Sequence, residues 1–267
     1  MTTTRRRTAV AATVLALAAG LTACGSGATP SNSPATADGT GAAKPTGAVT
    51  VFAAASLKGS FTDLGKKFEA ANPGVKVTFN FGGSSALAQS IVSGAPADVF
   101  AAASPATMKT VTDAKAAAGD PKVFVRNTLE IAVPKGNPRH ITGLKDLTGV
   151  KTALCAKEVP CGAAALKALE AGGVNLTPVT LEQDVKGALT KVELGEVDAS
   201  LVYKTDVKAD AAKIDGVSFP EAEKAVNDYP IAALAKAPNA AAAAAFVTYI
   251  RSAEAKQVLG EAGFQTP

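Results

Sequence analysis

Strand-like and helix-like patterns alternate along most of this chain, and this alternation limits the possible folds more than any other feature of the sequence. In the first half, three apolar strand patterns each precede a helical pattern: 49–54 then 61–71, 75–81 then 85–93, and 98–102 then 105–114. A βαβαβ order of this kind predicts a parallel sheet with right-handed crossovers. The sequence therefore predicts an α/β fold.

A second series of strands and helices follows a strand pattern at 128–133. Its segments are helix 143–147, strand 151–154, helix 162–171, strand 179–181, helix 185–194, strand 199–202, strand 229–234 and helices 239–252 and 254–262. We expect two lobes with a ligand cleft between them, each lobe a mostly parallel sheet flanked by helices. The predicted first lobe comprises 48–130 plus 235–267 and the second 131–234, with crossings near 128–134 and 229–235.

Two serines stand where a predicted strand turns into a helix. Ser56 follows the strand at 49–54, and Ser84 follows Gly82-Gly83 after the strand at 75–81. A helix N-terminus presents free N–H groups and a partial positive charge, so two such ends aimed at one point would bind an anion. The alternative is that both serines serve only as N-caps.

The first residues have the pattern of an export signal. Three arginines precede an apolar run, and Leu-Thr-Ala-Cys then ends at Cys24, which predicts a lipoprotein signal peptide over 1–23 and lipidation of Cys24. A generic signal peptide with an incidental cysteine is the alternative, and the general and twin-arginine export routes both stay open. Residues 24–47 lack large apolar side chains after the cysteine, which indicates a flexible tether.

The charge balance argues against a nucleic-acid partner. The net charge is +4, but without the three leader arginines the 27 basic residues become 24, against 23 acidic residues. The remaining chain is almost neutral and shows no basic stripe or RNA-binding aromatic motif.

Two cysteines remain once Cys24 is assigned to a lipid anchor. Cys155 and Cys161 are six residues apart in a chain that we expect to be exported, and this spacing predicts a disulfide. A metal-binding pair is the competing interpretation, but His140 is the single histidine of the chain. We therefore expect no bound metal cation and no cofactor.

Six segments resemble the periplasmic molybdate-binding proteins of ABC importers, which belong to the type II periplasmic binding proteins. The segments are Val-Phe-Ala-Ala-Ala-Ser-Leu at 51–57, Gly-Gly-Ser-Ser-Ala-Leu-Ala at 82–88, Ile-Val-Ser-Gly-Ala-Pro-Ala-Asp-Val-Phe at 91–100, Val-Pro-Cys-Gly at 159–162, Asp-Val-Lys-Gly-Ala-Leu at 184–189 and Leu-Val-Tyr at 201–203. The resemblance extends over 47–267 in order, and the segments are specific only in combination.

The resemblance implies five ligand residues. In that family two serines, two backbone N–H groups and one tyrosine hydroxyl hold the oxyanion. Ser85 is the alternative to Ser84, and Cys161 departs from the family, in which alanine often occupies its position. The implied residues here are Ser56, Ser84, Cys161, Val185 and Tyr203.

The resemblance also implies the function. It predicts a solute-binding lipoprotein that captures molybdate or tungstate for the permease of an ABC importer, either lipid-anchored at the outer face of the cytoplasmic membrane or periplasmic, and a monomer. Sulfate or phosphate is the alternative ligand. These smaller anions would leave some of the hydrogen-bond donors unpaired, and each unpaired donor should weaken their binding by about 1–3 kcal/mol.

Other functional classes have weaker support in the sequence. A serine hydrolase would need a Gly-x-Ser-x-Gly motif, which is absent, and a triad could use only His140. We therefore expect no enzymatic activity, and a structural surface lipoprotein is the remaining alternative. Asp184 is interpreted as an N-cap, Asp98 as a residue that orders a turn, and Tyr203 could be an ordinary interfacial tyrosine.

Overall fold

The computed structural model describes residues 44–267. The predicted signal peptide, Cys24 and most of the predicted tether lie outside the described residues. None of the helices described in 44–267 is long and apolar enough to cross a membrane.

The first half of the described chain alternates strands and helices, as the sequence predicts. The elements are β1 (Gly47–Ala54), α1 (Lys58–Ala71), β2 (Val75–Gly82), α2 (Ser84–Val92), β3 (Val99–Ala101), α3 (Pro105–Asp113) and β4 (Lys122–Asn127). A short 3₁₀ turn, Ala55–Leu57, joins β1 to α1. Helix α1 ends before Gly74, whose φ of +101° is a conformation that glycine adopts at low cost.

The second half contains a further series and two closing helices. The elements are β5 (Leu129–Pro134), β6 (Thr152–Cys155), α4 (Pro160–Ala171), β7 (Thr180–Glu182), α5 (Val185–Glu193), β8 (Ala199–Tyr203), α6 (Lys204–Ala209), β9 (Ile214–Val217), β10 (Asn227–Ala233), α7 (Ala240–Ile250) and α8 (Ala253–Glu261). The sequence patterns did not predict β4, α6 or β9. These elements are short, and their apolar residues do not follow a clear period.

The strands form two five-stranded sheets, in the orders β2-β1-β3-β10-β4 and β7-β6-β8-β5-β9. In the first sheet β1 pairs in parallel with β2 and β3, whereas β10 pairs antiparallel with β3 and β4. In the second, β6 pairs in parallel with β7 and β8, whereas β5 is antiparallel to β8 and β9. The two-lobe α/β fold is therefore confirmed, but its sheets are mixed rather than mostly parallel.

The second crossing between the lobes lies earlier than predicted. The chain first passes from one sheet to the other at Thr128, between β4 and β5, and it returns between β9 and β10, in 218–226. The prediction that the second lobe extends to residue 234 is therefore wrong, because β10 is a strand of the first sheet. An apolar strand pattern does not indicate which sheet the strand will join.

Each sheet has its own apolar core. Phe61 and Phe68 of α1 pack with Phe246 of α7 against the first sheet, so the C-terminal helices complete the first lobe. The core of the second sheet contains buried side chains of α4 and α5, among them Leu169 and Leu189. A further apolar cluster, which includes Phe52 and Phe100, belongs to the first sheet, and the two short crossings between the lobes leave a cleft.

Candidate anion-binding site

One small pocket lies in this cleft, at the carboxyl ends of strands and the first turns of helices. Its volume is about 20 Å³, far below the several hundred Å³ typical of pockets for organic ligands. The pocket therefore suits a compact ligand. Its lining residues are Ala54, Ala55, Ser56, Gly82, Gly83, Ser84, Ala103, Val159, Pro160, Cys161, Asp184, Val185 and Tyr203.

All five residues implied by the sequence resemblance line this pocket. The first lobe contributes Ser56 and Ser84, and the second contributes Cys161, Val185 and Tyr203. Each of the five is buried. The fold thus brings together side chains and backbone groups that are up to 147 positions apart in numbering, from Ser56 to Tyr203.

The first serine lies in the turn between β1 and α1. Ser56 is 8 % exposed, and its Oγ lies 2.9 Å from the hydroxyl of Tyr229 on β10. Tyr229 does not line the pocket. The Ser56 hydroxyl therefore has one protein partner among the described residues, Tyr229, and belongs to a residue that lines the pocket.

The second serine opens α2. Ser84 is 1 % exposed, and its Oγ accepts a hydrogen bond of 3.0 Å from the backbone N–H of Ala103. Since the oxygen is the acceptor in this contact, the hydroxyl hydrogen remains available for a ligand. Ser85, the alternative ligand residue, is not part of the pocket lining, and its Oγ donates to the carbonyl oxygen of Glu158 at 2.5 Å.

Two helices of the second lobe begin at the pocket. Pro160 is the first residue of α4 and has no N–H, so Cys161 supplies the first free N–H of that helix. At the start of α5 the carboxylate of Asp184 accepts from the N–H of Gly187 at 3.0 Å, which confirms its interpretation as an N-cap. The N–H of Val185, one residue closer to the helix start, is left for a ligand.

Tyr203 ends β8 with its side chain buried in the cleft. It is 1 % exposed, and its hydroxyl has no hydrogen-bond partner among the described residues. Burial, assisted by the neighbouring Tyr229, raises the pKa of Tyr203 well above its ordinary value near 10. Because leaving a buried hydroxyl unpaired costs about 1–3 kcal/mol, this group favours a ligand that can accept a hydrogen bond.

Neutral donors dominate the pocket. No lysine or arginine occurs among the described residues that line it, and Asp184 is their only charged member. Lys186 lies just beyond Val185, but its Nζ is 3.1 Å from the buried carboxylate of Asp206. Burial alone would lower the pKa of Lys186, but Asp206 and Asp210 outweigh this effect and raise it, so the ammonium charge is retained and balanced locally.

The two lobes touch at the rim of the pocket. A Cβ atom on Gly83 of the first lobe would overlap the carbonyl oxygen of Gln183 of the second. The hydrogen bond from Ser85 to Glu158 crosses the cleft beside this contact. The structure therefore represents a closed cleft, and close backbone approach at Gly83 is one condition for its closure.

The predicted disulfide is present. Cys155 and Cys161 are joined, with a Cα–Cα distance of 5.8 Å. The bond closes the loop from Cys155 to Cys161, which contains Glu158. Cys161, at the end of this loop, lines the pocket. No cluster of three or more metal-ligating side chains occurs within 44–267.

Two other residues considered in the sequence lie outside the pocket lining. Asp98 accepts hydrogen bonds from the N–H groups of Thr50 at 2.7 Å and Asn239 at 2.6 Å. It thus connects β1 with the start of α7, a larger role than ordering its own turn. His140 is exposed in a turn with φ +53°.

Sequence reasoning missed three residues that shape the pocket, one behind it and two in its lining. Tyr229 contacts Ser56, Ala103 contacts Ser84, and Gly83 allows the lobes to meet. Only Gly83 carried a signal, since Gly82-Gly83 before a helix suggests close backbone approach. The other two depend on contacts between distant parts of the chain.

Comparison with known proteins gives consistent results. The family model for bacterial extracellular solute-binding proteins matches residues 49–265. The molybdate-binding protein ModA of Mycobacterium tuberculosis is 43% identical over 253 residues, covering 94% of this chain and 95% of the relative.

Solved structures show the same fold. The periplasmic molybdate-binding protein of Azotobacter vinelandii matches with a TM-score of 0.71 and 20% identity, over 82% of this chain and 99% of that chain. The sulfate-binding protein SubI of Mycobacterium tuberculosis matches with a TM-score of 0.71 and 19% identity, over 82% and 86%. At these identities the structural likeness shows the fold alone.

Proposed function

The chain belongs to the bacterial extracellular solute-binding proteins, and from this premise we propose that it captures molybdate, and also tungstate, for an ABC importer. The observation that carries the proposal is that five residues able to donate hydrogen bonds, from two lobes, line one small pocket that has no lysine or arginine in its described lining. The 43% identity to a molybdate-binding relative over nearly the whole chain supports the same ligand.

The chemistry of the pocket matches a fully deprotonated oxyanion. Molybdate and tungstate are dianions at neutral pH, so their oxygens only accept hydrogen bonds. Ser84 and Tyr203 each have a hydroxyl hydrogen free for such an oxygen, and Cys161 and Val185 add N–H groups at helix N-termini. Hydrogen bonds to a charged group contribute about 1.5–3 kcal/mol each.

Sulfate is the alternative ligand, because a sulfate-binding protein shares the fold. A smaller tetrahedral anion would leave some of the fixed donors unpaired in the closed cleft, and each unpaired buried donor would cost about 1–3 kcal/mol. Phosphate adds a second disadvantage, since a protonated phosphate brings a donor to a site built from donors. Selectivity then follows from size and protonation rather than from charge.

The same proposal covers the partners and the location. The protein acts outside the cytoplasm and delivers its ligand to the permease of an importer. Lipidation of Cys24 would anchor it to the outer face of the cytoplasmic membrane, with 24–47 as the tether. It works as a monomer, without a cofactor and without catalysis, because lobe closure around the anion is sufficient for capture.

Competition calorimetry on the chain from residue 44 onward tests the proposal. Molybdate and tungstate should bind with a 1:1 stoichiometry, and sulfate and phosphate at the same ionic strength should displace neither at up to a hundredfold excess. Equal affinity for sulfate would make the sulfate alternative correct. Failure of all four anions to bind would leave the fold assignment but overturn the function.

A further inference from the structure

The hydroxyl of Tyr229 lies directly behind the anion pocket. Tyr229 is fully buried on β10, and its ring packs edge-on against Tyr203 with ring centres 5.9 Å apart. The Tyr229 hydroxyl contacts Ser56 Oγ at 2.9 Å. This tyrosine therefore supports a pocket hydroxyl of the first lobe and the pocket tyrosine of the second, although it does not line the pocket itself.

Asn127 limits the roles that the Tyr229 hydroxyl can take. Its Oδ1 accepts from the N–H of Thr128 at 3.1 Å, so its Nδ2 faces Thr205 Oγ1 at 2.8 Å and the Tyr229 hydroxyl at a longer 3.5 Å. The amide group thus presents only hydrogens to the Tyr229 oxygen. The nearest partner of this hydroxyl among the described residues is Ser56 Oγ at 2.9 Å, which can accept its hydrogen, and the Tyr203 hydroxyl is also close enough to interact with it.

We propose that Tyr229, oriented by Asn127, is a positioning residue of the anion site that donates to Ser56 Oγ and so turns the Ser56 hydrogen into the pocket. In this arrangement the Asn127 amide donates to the Tyr229 hydroxyl, the Tyr229 hydroxyl donates to Ser56 Oγ, and the Ser56 hydroxyl donates to an oxygen of the anion. Each hydrogen bond in such a chain polarises the next, which strengthens the final one. This inference rests on the proposed function.

The Tyr229 hydroxyl can be separated from the Tyr229 ring. The ring also packs against Phe264 with centres 5.5 Å apart, and phenylalanine would keep these contacts. In Tyr229→Phe the Ser56 hydroxyl loses its fixed orientation but stays in place. A loss of affinity in this variant would therefore report on the hydroxyl alone.

A double-mutant cycle of molybdate binding tests the proposal, with Tyr229→Phe, Ser56→Ala and their combination measured by calorimetry. Tyr229→Phe should weaken binding by about 3- to 10-fold, as expected for one neutral hydrogen bond. In the Ser56→Ala background the same change should weaken it by less than about twofold, because Tyr229 acts through Ser56. A purely structural role would give the same loss in both backgrounds and would overturn the proposal.

Tyr249→Phe is the matched control. Tyr249 lies on α7 and does not line the pocket, and its hydroxyl is buried but, unlike that of Tyr229, has no hydrogen-bond partner among the described residues. This variant should bind molybdate as the unmodified protein does. If the unmodified protein binds none of the four anions, both the proposed function and this inference are wrong. If it binds and Tyr229→Phe binds equally well, only this inference fails.

Discussion

At the scale of single residues, the site is defined by where hydroxyl hydrogens can point. The oxygen of Ser84 already accepts from Ala103, and the hydroxyl of Tyr203 has no partner among the described residues. A hard metal cation would need several carboxylate or carbonyl oxygens, and Asp184 is the only carboxylate among the described residues that line the pocket. The free hydroxyl hydrogens of the pocket therefore favour an anionic ligand, independently of any charged side chain.

We expect that Ser84→Ala and Tyr203→Phe each weaken molybdate binding by about 1.5–3 kcal/mol, the usual contribution of a hydrogen bond to a charged group. Lys58→Ala is the control, because Lys58 is an exposed cation next to the site in sequence but is not part of the pocket lining. Titration calorimetry measures all three variants. A greater loss in Lys58→Ala than in Ser84→Ala would contradict a mechanism based on neutral donors.

Molybdate affinity should stay constant within about twofold from pH 7 to pH 9.5. Burial raises the pKa values of Tyr203 and Tyr229 above their ordinary value near 10, so both remain donors over this range. Because the folded-state pKa values are raised, the stability they contribute is fully present below about pH 10 and is lost only as the pH rises through the folded values. Calorimetry at fixed ionic strength measures this, and a tenfold loss by pH 9.5 would place a titrating group in the site.

At the scale of elements, helix starts and loops carry the site and bring the lobes together. Helices α4 and α5 supply backbone N–H groups, and α2 supplies both Ser84 to the pocket and Ser85 to the loop closed by the disulfide. One loop of the second lobe thus takes part in ligand contact and in lobe contact. We therefore expect closure and binding to be coupled through the same few residues.

Gly83→Ala should weaken molybdate binding at least tenfold, because its Cβ would overlap the Gln183 carbonyl oxygen and hold the cleft open. Gly59→Ala is the matched control, since a Cβ at this position in α1 meets nothing within 4 Å. Calorimetry gives the affinity, and small-angle scattering shows whether ligand still compacts each variant. Normal compaction and affinity in Gly83→Ala would show that the contact does not limit closure.

At the scale of the whole molecule, two separately packed lobes are joined by chain crossings at Thr128 and 218–226. The C-terminal helices pack in the core of the first lobe, so the second lobe is inserted within the first. An anion in this pocket would touch both lobes, and the free energy of its binding would therefore add to the stability of the whole closed structure rather than to one lobe.

Molybdate at about 100 times its dissociation constant should stabilise the folded protein by about 2.7 kcal/mol. For a domain of this size the melting temperature should then rise by roughly 5–11 °C. The chain has no tryptophan, so calorimetric or dichroism-based melting is suitable. Sulfate at the same concentration and ionic strength should produce almost no shift, and an equal shift would refute the predicted selectivity.

Much of the local structure and of the site could be predicted from the sequence. The order of most strands and helices, the disulfide and the Asp184 N-cap each follow from patterns within a few residues, whereas β4, α6 and β9 were not predicted. The placement of β10 could not be predicted in this way, and neither could the antiparallel strands of both sheets. A strand pattern records which side chains are buried but not the partner strand.

The sequence by itself determined most of the elements of this protein and the types of donor that stand at their ends. Only the tertiary structure decided which of these donors meet and which way their hydrogens point. The Ser56–Tyr229 contact joins residues 173 positions apart, and nothing in the local pattern around either residue indicates the other. The physical reason is that periodicity and capping act over a few residues, whereas the orientation of a buried hydroxyl depends on every group that the fold places around it.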